Sequence, residues 1–346
     1  MQTILTYFLT LLVPLTGGGN SWLCSNPKNG CFFNKDYTTV LKGLCCLIVI
    51  YVHVREPFAN PLQDSIGSFA YICVTIFFII SAYGMMLSEH LKKDYLKNFW
   101  RNRLAALLIP PFLVNVASFG FDIVNKDNYN LSALYYLNGY VFVLLQWCLL
   151  FFVVMWCKAK WFPTKKALAD IVLIAGVLLS SLYLYFFVDA NVSANQGWCY
   201  ERIGLVWGLL LYRYFDSFVD WMKINRLTKI IVLTLLGGIL GVLYLKYKFV
   251  FFWGAYLLKI VLGLVLVILL FTITSNRQFC DKRSLWLGNI SYEVYLSHGI
   301  VMGALALRLP FYVNSGLFIF LTVILTLVIS AAIHSIGKPI VNFLRC

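Results

Sequence analysis

The sequence predicts an all-α polytopic membrane protein, a helical bundle of about ten transmembrane helices. Of its 346 residues, 61% are hydrophobic and only 12% are charged, and the mean hydropathy is +0.81. A soluble domain carries about 25% charged residues. Apolar runs of spanning or near-spanning length also follow one another along most of the chain. These runs should be helices, because lipid offers no water to the backbone polar groups.

The first 35 residues precede these runs. Residues 1–15 are apolar but too short to span comfortably, and a polar stretch with three glycines follows up to Asn34. We interpret 1–35 as an interfacial or cytoplasmic extension, with a cleaved signal peptide or an extra span as alternatives. Residues 36–346 are predicted to form one transmembrane domain, because no polar block is long enough for a second domain.

Ten apolar runs then predict ten spans. They are approximately 38–54, 66–88, 104–120, 138–157, 167–188, 198–215, 229–249, 251–274, 290–309 and 316–337.

Basic residues lie mainly in every second loop between these runs. One set of loops, which includes the C-terminus, carries eighteen Lys and Arg residues, and the opposite set carries five. The five are Arg55, Lys126, Lys246, Lys248 and Arg308. The positive-inside rule therefore predicts that both termini are cytoplasmic and that the first span runs outward. Topology also explains the formal net charge of +14, and we expect no nucleic-acid partner.

Two ionisable residues stand in the first span, Lys42 and His53. They are eleven residues apart, or about three helical turns, so their side chains leave the helix on nearly the same side, about 16.5 Å apart along the axis. Lys42 is either a phosphate anchor near the cytoplasmic surface or a lysine that snorkels to the headgroups. His53 is either a general base or a boundary histidine bonded to a carbonyl. Glu56 would orient its ring, unless Pro57 ends the helix first.

Further polar groups fall in or beside later spans. Ser81 lies near the end of the second span, where small residues also favour close helix packing. The loop before the third span carries five basic residues, among them Arg101 and Arg103, which suit anionic lipid or the phosphates of a nucleotide.

Two more groups stand within later spans. Glu201 and the adjacent Arg202 lie in the sixth span, where each needs a partner from another helix, and Lys259 is the obvious one for Glu201. In the ninth span, Tyr295 and His298 are three residues apart and therefore share one helix face. The ten cysteines have no zinc-ligand spacing with histidine, so we predict no metal.

Four motifs occur in order across these spans, and together they resemble the integral-membrane acyltransferase-3 family of bacterial O-acyltransferases. The motifs are Lys42-x10-His53, Phe77-Phe78-x-x-Ser81, the basic loop leading to Arg103 and Pro110, and Ser291-Tyr292-x-x-Tyr295-Leu296-x-His298. The resemblance covers roughly residues 36–340. Arg103 matches the first arginine of the family's Arg-x-x-Arg motif, but Ala106 stands where the second is expected. Arg101 could take the place of that second arginine.

The resemblance implies transfer of an acetyl group from cytoplasmic acetyl-CoA to a hydroxyl of a cell-surface or exported glycan, in the bacterial cytoplasmic membrane. Lys42, Arg101 and Arg103 would bind the acetyl-CoA, and His53 would be the general base. Ser81, Tyr295 and His298 would stabilise the oxyanion, and Glu56, Glu201 and Arg202 would bind the acceptor. The donor would thread through a passage along the first helix.

Several alternatives stay open at this point. An acetyl-histidine intermediate or a succinyl donor would fit the same residues. A transporter or flippase for a glycan or lipid-linked sugar would use the charged residues as a substrate path. A non-catalytic assembly subunit is a third reading. Membrane lipids are expected contacts, and a homo-oligomer is left open.

Overall fold

The computed structural model describes residues 32–124, 130–164, 166–188, 198–276, 281–310 and 313–345. Every regular element in these ranges is helical. The α-helices are α1 (Lys35–Val52), α2 (Pro61–Gly67), α3 (Tyr71–Leu91), α4 (Phe99–Val124), α5 (Gly139–Trp161), α6 (Lys166–Tyr183), α7 (Ile203–Arg213), α8 (Phe215–Lys223), α9 (Arg226–Tyr247), α10 (Lys259–Thr274), α11 (Lys282–Asn289), α12 (Ser291–Arg308) and α13 (Ser315–Arg345). A 3-10 turn (Leu131–Tyr135) and two π-helical turns (Leu184–Val188 and Trp253–Leu258) complete them.

The helices confirm a polytopic membrane bundle. Among the described residues, seven helical segments are long and apolar enough to cross a membrane, and α11 with α12 would make an eighth span bent by 65°. These correspond to eight of the ten predicted runs. The other two predicted runs do not qualify as spans. Helix α1, in the first run, carries Lys42 and begins with charged residues, and α7, in the sixth run, has only 11 residues. The N-terminal extension predicted for 1–35 lies almost wholly outside the described residues.

Helix α4 continues through Pro110 and Pro111 without a break. A proline has no N–H to donate to the carbonyl four residues earlier. For Pro111 that carbonyl belongs to Leu107, and the hydroxyl of Tyr292 on α12 donates to it at 3.0 Å. A neighbouring helix thus satisfies the group that the proline leaves unbonded.

Helix α1 lies in the core and crosses α11 at a backbone contact. A Cβ atom on Gly288 would lie 2.0 Å from the carbonyl oxygen of Thr39, so only glycine permits this approach. At its start, Asn34 caps the helix through the amide of Tyr37, whose hydroxyl lies 2.5 Å from Thr274 Oγ1 on α10. These contacts hold the Lys42 end of α1 against α10 and α11, and its other end meets α12.

Candidate active site around two histidines

His53 and His298 contact each other although 245 positions separate them in sequence. His53 directly follows α1, and His298 lies on α12. His298 Nε2 is 3.2 Å from His53 Nδ1, and the ring centroids are 4.8 Å apart. The sequence analysis proposed both residues as catalytic groups but did not predict this contact.

Backbone carbonyls define the tautomers of the two rings. His53 Nδ1 lies 2.8 Å from the carbonyl oxygen of Val49, and His298 Nδ1 lies 3.3 Å from that of Val294. Because a carbonyl oxygen only accepts, we assign a hydrogen to Nδ1 of each ring. Nε2 of His298 is then an acceptor that faces the N–H of His53. Nε2 of His53 keeps a lone pair that can take a proton from a substrate.

His53 lines a cavity of about 570 Å³ together with Glu201 and Lys259. The cavity wall is rich in tyrosine: the Lys259 ammonium lies 3.8 Å from the ring centroid of Tyr200 and 5.4 Å from that of Tyr71. Glu201 itself is 1% exposed. The proposed base and one proposed acceptor-binding residue therefore share one chamber, and Lys259 shares it with Glu201.

Tyr295 contacts the ring of His298, and Tyr140, which was not predicted from the sequence, connects Tyr295 with Ser81. The ring of Tyr295 is 5.9 Å from that of His298 and 4.9 Å from that of Tyr140 on α5, measured between centroids. The hydroxyl of Tyr140 interacts with the Ser81 side chain. The only signal for Tyr140 was a hydroxyl near the start of an apolar run. Neither Tyr295 nor Ser81 lines the chamber that contains His53.

A comparison with known protein families identifies the family of this chain. The model of the acyltransferase-3 family, described as an acyltransferase domain, matches residues 36–335. The chain belongs to the acyltransferase-3 family. It is therefore a membrane acyltransferase, as the four motifs indicated. No curated protein and no solved structure matches it significantly.

In this acyltransferase, the proposed donor-binding cation Lys42 lies next to a buried carboxylate. The charges of Lys42 and Glu293 are close enough to attract each other. Glu293 Oε1 lies 2.9 Å from His334 Nδ1, and its Oε2 is buried without a hydrogen-bond partner among the described residues. His334 was not predicted, because the pairing of α12 with α13 that places it here is not visible in the sequence.

The two proposed donor-binding arginines of the acyltransferase differ in their surroundings. Arg103 donates from Nη2 to the hydroxyl of Tyr95 at 2.9 Å and lies over the ring of Phe99 at 5.9 Å. Its guanidinium is therefore held against the start of α4. Arg101 is exposed.

Two proposed acceptor-binding residues do not reach the chamber of His53. Glu56 is exposed, and its side chain has no hydrogen bond or ion pair within the part of the chain that the structure describes. The carbonyl of Val49 and the ring of His298 orient His53 instead. Arg202 donates to Ser180 Oγ at 3.0 Å and to the Trp198 carbonyl at 3.3 Å, and it lines a different cavity. Both residues lie in the turn before α7, and their side chains leave it toward different cavities.

Among the described residues, the chamber of His53 does not extend to Lys42, so they do not form the expected continuous passage along α1. None of Lys42, Arg101 and Arg103 lines the chamber. The turns of α1 in between are packed, and Cys46, Leu47 and Ile50 are fully buried. A donor that enters at Lys42 must displace side chains before its thioester meets His53.

Proposed function

We propose that this acyltransferase moves an acetyl group from cytoplasmic acetyl-CoA to a hydroxyl of a cell-surface or exported polysaccharide, or of its lipid-linked precursor. We place it in the bacterial cytoplasmic membrane with both termini in the cytoplasm. The observation that carries the proposal is the pair of histidines. His53 presents a free Nε2 lone pair, is supported through Nδ1 by His298, and shares its chamber with the carboxylate of Glu201.

In the proposed reaction, Nε2 of His53 takes the proton of the acceptor hydroxyl while that oxygen attacks the thioester carbonyl. The C–O bond forms, the C–S bond breaks, and the proton passes from His53 to the leaving sulfur, which yields the ester and free CoA. A positioned base of this kind contributes about 10²–10⁴-fold. The Nδ1–H of His53 is shared between the Val49 carbonyl at 2.8 Å and Nε2 of His298 at 3.2 Å, and both acceptors would stabilise the imidazolium.

This contact changes the role that we assign to His298. The sequence analysis placed it with Ser81 and Tyr295 as an oxyanion donor. Its Nε2 faces His53, so we now assign it to positioning the base. Tyr295 becomes the first candidate for the oxyanion donor, since its hydroxyl makes no hydrogen bond to any described residue. Because Tyr295 does not line the chamber, this role requires the thioester carbonyl to lie outside it, on the Tyr295 side of His53. One such donor is worth about 10²–10³-fold in kcat.

On the donor side, Lys42, Arg101 and Arg103 would bind the phosphates of acetyl-CoA. Glu293 would support Lys42, because a partly buried ammonium is stabilised by a nearby carboxylate. His334 in turn holds one oxygen of that carboxylate. Arg101 is exposed on the loop side and would meet the nucleotide first.

Reconstitution tests the proposal. The purified protein in lipid is given acetyl-CoA with a labelled acetyl group, with and without glycan extracted from the cell surface. We expect glycan-dependent release of CoA and label in base-labile esters. His53→Ala should lower both by about 10²–10⁴-fold while the protein still inserts. An intact thioester under all conditions, with glycan moved across the membrane, would point to a transporter instead.

A further inference from the structure

The chamber that contains His53 carries an excess of positive charge. Arg55, Lys248 and Lys259 line it, and Glu201 is the only carboxylate among the described lining residues. A concave site with charges mainly of one sign concentrates ligands of the opposite sign. The chamber therefore favours an anion.

Two of these cations have no carboxylate partner among the described residues. Arg55 is exposed, two residues beyond His53, and its side chain makes no hydrogen bond or ion pair to any residue that the structure describes. Lys248 is half-buried, and its ammonium lies 5.2 Å from the ring centroid of Phe249, which also lines the chamber. Neither cation therefore balances a negative charge in the part of the chain that the structure describes.

Topology does not explain this cluster. In the proposed orientation, Arg55 and Lys248 lie on the outer side, where the positive-inside rule disfavours basic residues. The predicted outer loops hold only five, and two of them meet at one chamber although they come from distant parts of the chain.

We propose that the acceptor carries an oxyanion group, a carboxylate or a phosphate, which Arg55 and Lys248 bind while a nearby hydroxyl faces His53. This rests on the proposed function and narrows its acceptor to an acidic glycan. The sugar ring itself lies against the tyrosines of the wall, such as Tyr71 and Tyr200, with Glu201 accepting from its hydroxyls. The guanidinium of Arg55 gives the paired contact that planar oxyanions prefer.

Binding and turnover are measured separately to test this. The protein is placed in phosphatidylcholine nanodiscs, so that no lipid supplies a net negative charge. Three oligosaccharides of one length are compared: a neutral one, one with a uronic acid, and one with a phosphate ester. We expect at least one acidic form to bind about tenfold more tightly than the neutral one, with an advantage that falls as salt rises. Which acidic form binds more tightly distinguishes carboxylate from phosphate.

Arg55→Gln with Lys248→Gln should remove the acidic preference, and Lys246→Gln should keep it. Lys246 is an exposed base two positions before Lys248 that does not line the chamber. Equal affinity for neutral and acidic forms, or a preference that survives the double substitution, would overturn the inference. Acetyl transfer without acidic preference leaves the proposed function standing and refutes only the inference. Acidic preference without any transfer supports the anion site and refutes the proposed function.

Discussion

At the scale of single residues, the proposed mechanism depends on the contact between His53 and His298. His298 is not among the described residues that line the chamber, so in the proposed reaction it would act only through the ring of His53. If His298 acts only through His53, substituting His298 should lower the rate only when His53 is present, and a double-mutant cycle can measure this dependence.

The first prediction is a double-mutant cycle on the two histidines. His53→Ala should lower kcat by about 10²–10⁴-fold, and His298→Ala by about tenfold or more. The double variant should be no slower than His53→Ala alone, since His298 has nothing left to position. Steady-state kinetics in nanodiscs provide the values. Additive losses would show that His298 acts on the substrate directly.

The second prediction concerns Lys42. Lys42→Ala should raise the KM for acetyl-CoA by about tenfold with a smaller change in kcat, because a charge-assisted contact to phosphate is lost. Lys35→Ala is the matched control: it removes an exposed lysine from the start of the same helix. An unchanged KM for acetyl-CoA in the Lys42 variant would mean that this lysine snorkels to the lipid headgroups and does not bind the donor.

At the scale of helices, α3 and α7 pack through glycine. A Cβ atom on Gly208 would lie 2.3 Å from the carbonyl oxygen of Ile79, and one on Gly204 would lie 2.4 Å from that of Thr75. Two backbones in such contact leave no space for a side chain. This packing places the start of α7, with Glu201 just before it, beside the chamber.

The third prediction follows from that packing. Gly208→Ala should destabilise the folded protein by about 1–3 kcal/mol, because the added methyl group forces α3 and α7 apart. Gly238→Ala on α9 is the control, since nothing lies within 4 Å of the atom that it adds. Alanine favours helix over glycine, so the control should melt at the same or a higher temperature. Thermal unfolding in detergent compares the two, and equal melting temperatures would contradict the close approach.

At the scale of the whole molecule, hydropathy and charge predicted most of the architecture. Each of the ten apolar runs corresponds to a helix, because the bilayer requires internally satisfied backbone. The sequence could not show that α1 is flanked by α11 and α12, since that depends on a glycine contact between Gly43 and Gly288. His334 stands in the tenth apolar run and was missed because no motif singled it out, and Tyr140 gave no signal beyond a hydroxyl near the start of a run. His53 was singled out because it is an ionisable group in a span that also pairs with Lys42 in a motif.

The fourth prediction is the orientation of the chain. A green fluorescent protein fused after Cys346 should fluoresce, and alkaline phosphatase fused there should be inactive, because both report the cytoplasmic side. Alkaline phosphatase inserted after Val313, in a predicted outer loop, should be active. The opposite pattern would invert the topology and would put His53 on the side of the acetyl-CoA.

The packed turns of α1 between Lys42 and His53 have a consequence for the cell. Cys46, Leu47 and Ile50 are fully buried there, so the described residues form no water-filled channel along this part of the helix. A permanently open conduit wide enough for an acyl thioester would also conduct protons and dissipate the electrochemical gradient. Under the proposed mechanism, these packed turns would keep the resting enzyme closed to ions, and a path would open only while the donor is bound.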